Sequence, residues 1–328
     1  MKPISRPSAA LLRFLAHAMS PAGARARLLI LIFHRVVEMH DPMNPDEPDA
    51  GEFASRLDLL RELFQVMSLR EATERMSSNS LPARAACITF DDGYENNCSL
   101  AARMLAARGM PATFFVSTGF LGGGCMWNDV VIEAVRRCGA NLDLTAIDLG
   151  SHELRDDAGR ARLAGELLSR LKYLPREDRQ RLAYAIADAA GGNSPRNLMM
   201  TEHQVRQLAS MGMEVGAHTV THPILANLRD ADASAEIRES KSRLEAITGS
   251  TVTSFAYPNG RPGRDYRKVH VGMVRDAGFT AAVSTAWGCA RAGADGFQLP
   301  RVSPWDLTVH RYALRLIRAY VQKPAVVA

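Results

Sequence analysis

Two carboxylates stand side by side at Asp91 and Asp92, closing the run Cys87-Ile88-Thr89-Phe90 just before Gly93. The β-branched and aromatic run predicts a buried strand that carries both acids to its carboxyl end, where Gly93 lets the backbone turn away. Adjacent acids repel, so the pair calls for a cation or for unequal protonation roles. Taken alone, it reads equally well as a strand-to-helix loop with an Asp cap. A second group tips that balance. His218-Thr219-Val220-Thr221-His222 follows another short apolar run, residues 213–217. Spacing of four puts both imidazoles on one side of a helical turn, or brings them together around a tight loop. Two imidazoles plus one carboxylate suit a catalytic Zn²⁺ that keeps one position open for water. The other carboxylate is then free to take that water's proton.

The bulk numbers fit an ordinary globular chain. At 328 residues it can bury a sizeable core as one large α/β domain or two smaller ones, and 47% hydrophobic with 23% charged residues is typical of that class. Net charge is +5, with Lys and Arg scattered rather than massed beside aromatics. That pattern argues against a nucleic-acid partner and suits an acidic membrane or an acidic glycan. Five cysteines without Cys-x-x-Cys spacing argue against a disulfide scaffold and for a reducing compartment. The expected location is cytoplasmic, extending to the inner membrane face, with export left open. Residues 11–16 form too short an apolar run for an export signal. They read as a helix packed on the domain, with an amphipathic helix touching a membrane as the alternative. Nothing in the pattern sets an oligomeric state.

Something must position the candidate ligands. Residues 1–27 read as a helical leader, 28–305 as the main domain, and 306–328 as a C-terminal helix. Strands are expected at 28–33, 86–90, 112–117, 213–217, 252–257 and 279–284, with helices between them. Residues 140–200 are charged and Ala- and Leu-rich, and read as a helical insertion. Repeated strand–helix alternation predicts a parallel sheet, open or closed into a barrel, with ligands gathered at the carboxyl ends of its strands.

Thr89-Phe90-Asp91-Asp92-Gly93 and His218-Thr219-Val220-Thr221-His222 together resemble the first two motifs of the polysaccharide deacetylase family, carbohydrate esterase family 4. The resemblance implies an α/β fold, a distorted (β/α) barrel with fewer than eight units, here carrying the helical insertion. It implies a metal-dependent hydrolase that removes N-acetyl groups from an amino-sugar polysaccharide or its precursor, releasing acetate. Asp91 then resembles the general base, while Asp92, His218 and His222 resemble the ligands of a divalent metal, Zn²⁺ first, with Co²⁺ or Ni²⁺ as substitutes. Ser254-Phe255-Ala256-Tyr257-Pro258-Asn259-Gly260 is similar to the third motif, which implies that the Tyr257 main-chain N–H steadies the oxyanion.

This chain also departs from the family pattern. Ser254 and Phe255 stand where many members carry an Arg that pairs with the catalytic Asp, so Arg301 or Arg35 is a candidate for the missing charge. No Leu-x-His motif supplies a late general acid. Ile30-Leu31-Ile32-Phe33-His34 instead resembles the poly-N-acetylglucosamine deacetylase branch, with its permuted motif order, and makes His34 the candidate acid. A histidine merely ending a strand is the competing reading. Trp127 and Asp129, with Arg301, are candidates for the sugar subsite; Trp127 reads equally as a core anchor and Asp129 as a helix cap. Trp287 and Trp305 carry the same ambiguity. Hydrolysis of a small non-glycan amide and glycan binding without catalysis stand as alternatives to deacetylation.

Overall fold

The computed structural model describes residues 6–192, 196–303, 306 and 308–328. Its strands are β1 (Arg27–Phe33), β2 (Gln65–Val66), β3 (Ala85–Phe90), β4 (Thr113–Val116), β5 (Asn141–Asp143), β6 (Ser151–Glu153), β7 (Glu214–Ala217), β8 (Ser254–Ala256), β9 (Ala281–Val283) and β10 (Ala290–Arg291). The helices are α1 (Arg6–Met19), α2 (Ala50–Leu63), α3 (Leu69–Ser77), α4 (Arg103–Ala106), α5 (Trp127–Arg137), α6 (Asp157–Leu171), α7 (Arg176–Ala189), α8 (Glu202–Ser210), α9 (Asp230–Thr248), α10 (Lys268–Asp276) and α11 (Val309–Ala319).

Strands β1, β3, β4, β7, β8 and β9 lie in that order and are all parallel, while β10 joins the outer edge of β1 antiparallel. Residues 299–302 close the curl. The Leu299 N–H donates to the Ala282 carbonyl and the Ser284 N–H to the Leu299 carbonyl, beside β9. The Ile32 N–H donates to the Val302 carbonyl and the Val302 N–H to the Ile30 carbonyl, along β1. One short segment thus bridges the two sheet edges, and the result is a distorted (β/α) barrel of fewer than eight units.

Both faces of this sheet are buried, as a parallel sheet under helices requires. Alternate residues form two files. Leu29, Leu31, Phe33, Ile88, Phe90, Phe114, Val116 and Phe255 pack beneath the helices. Leu28, Ile30, Cys87, Phe115, Ala256, Val283 and Leu299 fill the inside, with α3 beneath them. Space there is tight: a Cβ on Gly216 would stand 2.5 Å from the Phe115 ring, so glycine is needed where the ring crosses β7. Extending the inner file past each strand end explains the site. Two residues on from Ile32, Thr89, Gly216 and Leu299 come His34, Asp91, His218 and Arg301.

The expected helical insertion also contains two short strands. Strands β5 and β6 pair antiparallel at Asn141↔Glu153 and Asp143↔Ser151, three-residue strands too short to show a clear alternation. Helices α5, α6 and α7 share their own apolar cluster around Val131, Val135, Leu167 and Ile186, so this unit begins before residue 140. Arg136 on α5 grips Asp41 with two hydrogen bonds of 2.8 and 2.6 Å, tying the unit to the loop that follows β1. Helix α1 buries Leu12 and Ala16 against the domain beside α2 and α11, and turns Leu11 and Phe14 outward. No helix among the described residues is long and apolar enough to cross a membrane.

Candidate active site

Asp92, His218 and His222 converge at the carboxyl ends of β3 and β7. The Asp92 Oδ1 lies 3.5 Å from His218 Nε2 and 3.4 Å from His222 Nε2. Ligand atoms about 2.0–2.1 Å from a tetrahedral Zn²⁺ stand about 3.3–3.4 Å apart. Both separations from Asp92 match this, and all three ligand atoms lie within 4.8 Å of one another, close enough to hold such an ion. The His218 Nδ1 is 2.8 Å from the Ala256 carbonyl, an acceptor that fixes the ring's tautomer and leaves Nε2 bare toward Asp92. His222 comes round a tight loop, the second of the two arrangements its spacing allows. Thr219 and His222 take φ of 65° and 52°, and Asp92 takes 76°. Left-handed backbone at non-glycine residues costs about 1–3 kcal/mol each and persists where surrounding contacts hold it.

The electrostatics agree with a cation site. Burial drives the His222 imidazole down to about 4, so it is neutral with a free lone pair near pH 7. Burial also acts to raise the Asp92 carboxyl, but the neighbouring His218 and His222 overcome it and hold the group well below the usual range. His218 is pushed down by burial and up more strongly by Asp91 and Asp92, ending raised. A metal and a proton compete for that same nitrogen, so affinity for the ion falls in acid.

Asp91 is 3% exposed and held by a partner that closes the barrel. Arg301 donates Nη1 to Oδ1 at 2.6 Å and Nη2 to Oδ2 at 2.7 Å, while its Nε donates to the Ser284 carbonyl at 3.0 Å. Burial would raise the Asp91 carboxyl, but the Arg301 charge and its hydrogen bonds, with His218, bring it below its ordinary value. Asp91 therefore stays ionised at neutral pH, 3.9 Å from His218 Nε2. Of the two arginines expected to supply the missing charge, Arg301 does so. Arg35 instead pairs with Glu47 at 3.6 Å and lies over the Tyr94 ring. Assigning Arg301 to the sugar subsite is corrected: its guanidinium is buried and spent on Asp91, Thr89 and Ser284.

Two other expectations are corrected. The Tyr257 N–H donates to the Val283 carbonyl at 3.2 Å, within the β8–β9 ladder, and so is committed elsewhere than an oxyanion. Its ring stacks on Tyr266 at 3.9 Å and its hydroxyl donates to the Phe297 carbonyl. The residue of that turn lining the cleft is Asn259, at φ 59°. Asp129 is a helix cap: it accepts the Met126 N–H at 2.8 Å and the Tyr94 hydroxyl at 3.0 Å, deep in the core.

A cleft of about 640 Å³ lies over the trio, lined by His34, Trp127, Asn128, Trp287, Lys172 and Arg261, among others. His34 is exposed there, its backbone carbonyl anchored by Asn97 Nδ2 at 2.8 Å. Trp127 lines the cleft while also packing on the insertion's core. Trp287 also lines the cleft, and its indole N–H is buried without an acceptor among the described residues. Trp305 lies outside the described residues.

Glu236 on α9 carries no motif signal and was missed by the sequence reading. Its carboxylate accepts the Val220 and Thr221 N–H groups, each at 2.8 Å, and the Thr221 hydroxyl at 2.5 Å. Only its spacing ahead of the core residue Ile237 placed it on the inward side of a helix, and many glutamates share that. Glu236→Ala is expected to strand two N–H groups and loosen the loop bearing His222, weakening Zn²⁺ affinity about 10–100-fold in a chelator competition.

The polysaccharide deacetylase family matches residues 78–141 and 170–282, more than half of the chain, and the chain belongs to that family. Its class is accordingly a deacetylase-type hydrolase. The matched segments contain the whole trio and Asp91; His34 and Arg301 lie outside them. A curated relative, the polysaccharide deacetylase-type protein YxkH of Bacillus subtilis (strain 168), is 20% identical over 279 residues, covering 84% of this chain and 71% of its own. The same fold is found in Streptococcus pyogenes deacetylase PplD, solved with acetate, at TM-score 0.59 and 19% identity over 89% of this chain and 98% of that one. IcaB from Ammonifex degensii matches at TM-score 0.58 and 18% identity, over 92% and 99% of the two chains.

Proposed function

We propose that the chain is a metal-dependent N-deacetylase acting on an N-acetylglucosamine-type polysaccharide or its precursor, akin to the branch typified by IcaB. The observation that carries this reading is the fit of Asp92, His218 and His222 to one divalent ion beside an ionised, arginine-held Asp91. When bound, the ion supplies Lewis acidity to the acetyl carbonyl and lowers the pKa of water. The rest falls to the chain's own groups. Asp91 accepts the proton of the attacking water through the lone pairs that Arg301 leaves free. The water oxygen bonds to the acetyl carbon, the C–N bond breaks, and His34 gives its proton to the departing sugar nitrogen. Trp127 offers a ring face for a sugar.

The test is acetate release from N-acetylglucosamine oligomers by Zn²⁺- or Co²⁺-loaded protein, set against Asp91→Asn. Oligomer binding without acetate would leave a glycan binder, and acetate from small amides alone would leave a different amidohydrolase. His34→Ala is expected to keep full metal content and lose about 10²–10⁴-fold in turnover, the usual worth of one proton-transfer group. Full turnover in that variant removes His34 from the mechanism.

A further inference from the structure

A second hollow, of about 940 Å³, opens beside the cleft and shares Trp127 and Arg179 with it. Among the described residues its wall carries Arg137, Arg176, Arg179 and Arg196 and no Asp or Glu. The cleft adds Lys172 and Arg261, and its own acids are Asp91, held by Arg301, and Asp92, inside the trio. Arg137 is balanced by Glu133 at 3.2 Å. Arg176, Arg179, Arg196 and Arg261 form no ion pair among the described residues.

Arg179 is the telling member. It is 6% exposed, yet its protein partners are the Lys172 carbonyl at 3.3 Å and the Trp127 ring at 5.0 Å. Burying a guanidinium without a carboxylate is costly, and neither a carbonyl nor an aromatic face cancels its charge. Arg176 and Arg179 share the first turn of α7 with Glu177 and Asp178, two exposed acids that meet the helix dipole but do not line the hollow. Such a cluster costs stability in the free protein and gains it back when a negative group arrives. The exposed ring of Tyr184 lies further along the same wall and offers another face for a sugar.

We propose that the substrate is an anionic N-acetylated glycan, whose phosphate or carboxylate groups are held by Arg176, Arg179 and Arg196 while an acetamide lies over the metal trio. This deepens the deacetylase reading and rests on it, because the hollow adjoins the cleft through their shared Trp127 and Arg179. Phosphate and uronate share the chemistry a guanidinium recognises, two oxygens matched to paired N–H donors.

The test measures binding without turnover, using full-length Zn²⁺-loaded Asp91→Asn and calorimetry. Three probes are compared: a neutral N-acetylglucosamine tetramer, the same tetramer with a reducing-end phosphate, and an alternating N-acetylglucosamine–glucuronate tetramer. At least one anionic probe is expected to bind about tenfold or more tightly than the neutral one, as a charge-assisted pair allows. That gap should narrow between about 50 mM and 500 mM salt, as screening shortens the reach of the field. Arg176→Gln combined with Arg196→Gln, both at exposed positions, should bring the gap toward one. Whichever anionic probe leads identifies the charged group. Equal affinity for all three, no detectable binding of either anionic probe, or an oligonucleotide that competes as well as the best glycan overturns the proposal. Acetate release by the wild type without a charge preference sinks this inference alone. A charge preference without acetate release sinks the deacetylase reading and leaves the anion site standing.

Discussion

Acetate release by Asp91→Asn is expected to fall about 10²–10⁴-fold, with one Zn²⁺ still bound per chain. The two results belong together. Asp91 sits 3.9 Å from His218 Nε2 but is engaged with Arg301 rather than with His222 or the Asp92 side of the trio. Removing its charge takes away a proton acceptor without emptying the cation site. The amide of Asn keeps one oxygen for Arg301 but faces its other terminal nitrogen with an NH2 and leaves the buried guanidinium without a counter-charge. The variant is therefore expected to be less stable and is assayed well below its unfolding temperature. Metal content by atomic absorption and turnover on the same preparation separate the roles. Loss of the ion together with activity would show that Asp91 is a ligand, and near-normal turnover would show that another group takes the proton.

Arg301→Leu should destabilise the protein by about 3–5 kcal/mol, the usual consequence of stranding one member of a buried ion pair. Arg301 is 1% exposed, and both terminal nitrogens face the two oxygens of an equally buried carboxylate. The sign of the pH dependence follows from the direction of the Asp91 shift. In the wild type its folded value lies below the ordinary 3.8, so its contribution is complete above that value and is lost as pH falls through the lower folded one. In the variant, burial acts unopposed by the arginine and raises the folded value instead. The deficit is therefore widest near neutral pH and shrinks as pH falls, first through the variant's raised folded value and then, below about pH 4, through the wild type's lowered one. Urea titrations across that range measure it. Arg301→Leu with Asp91→Leu should regain much of the loss, since neither charge is left alone. A double variant no better than the single one would show that Arg301 stabilises chiefly through Ser284, Thr89 and packing.

The chemistry-bearing residues were legible because each lies in a short local pattern. Asp91 and Asp92 end an apolar run, and His218 and His222 do the same with a spacing of four. Period two along β3 and β7 then carries Asp91 and His218 to the inner side of the barrel. The strands of the parallel sheet were legible for the same reason, since a strand buried on both faces is an unbroken apolar run. Other features had no local signal. Arg301 is 210 residues from Asp91, and a single arginine in a loop does not say which acid it will meet. Closure by residues 299–302 places it, and closure depends on where two distant edges come to rest. Tyr257 looked available because a sequence does not show which N–H groups a ladder will consume; β9 takes that one. Asp129 looked like a sugar ligand until the start of α5 claimed one of its oxygens through the Met126 N–H and the distant Tyr94 hydroxyl took the other. The positive hollow is assembled by α5, α7 and the loops around them, so its arginines are scattered in the chain and meet only when the insertion packs on the barrel. Patterns of period two and four are written within a few residues of one another. Ion pairs, consumed donors and surface charge depend on approach in space, which only folding brings about.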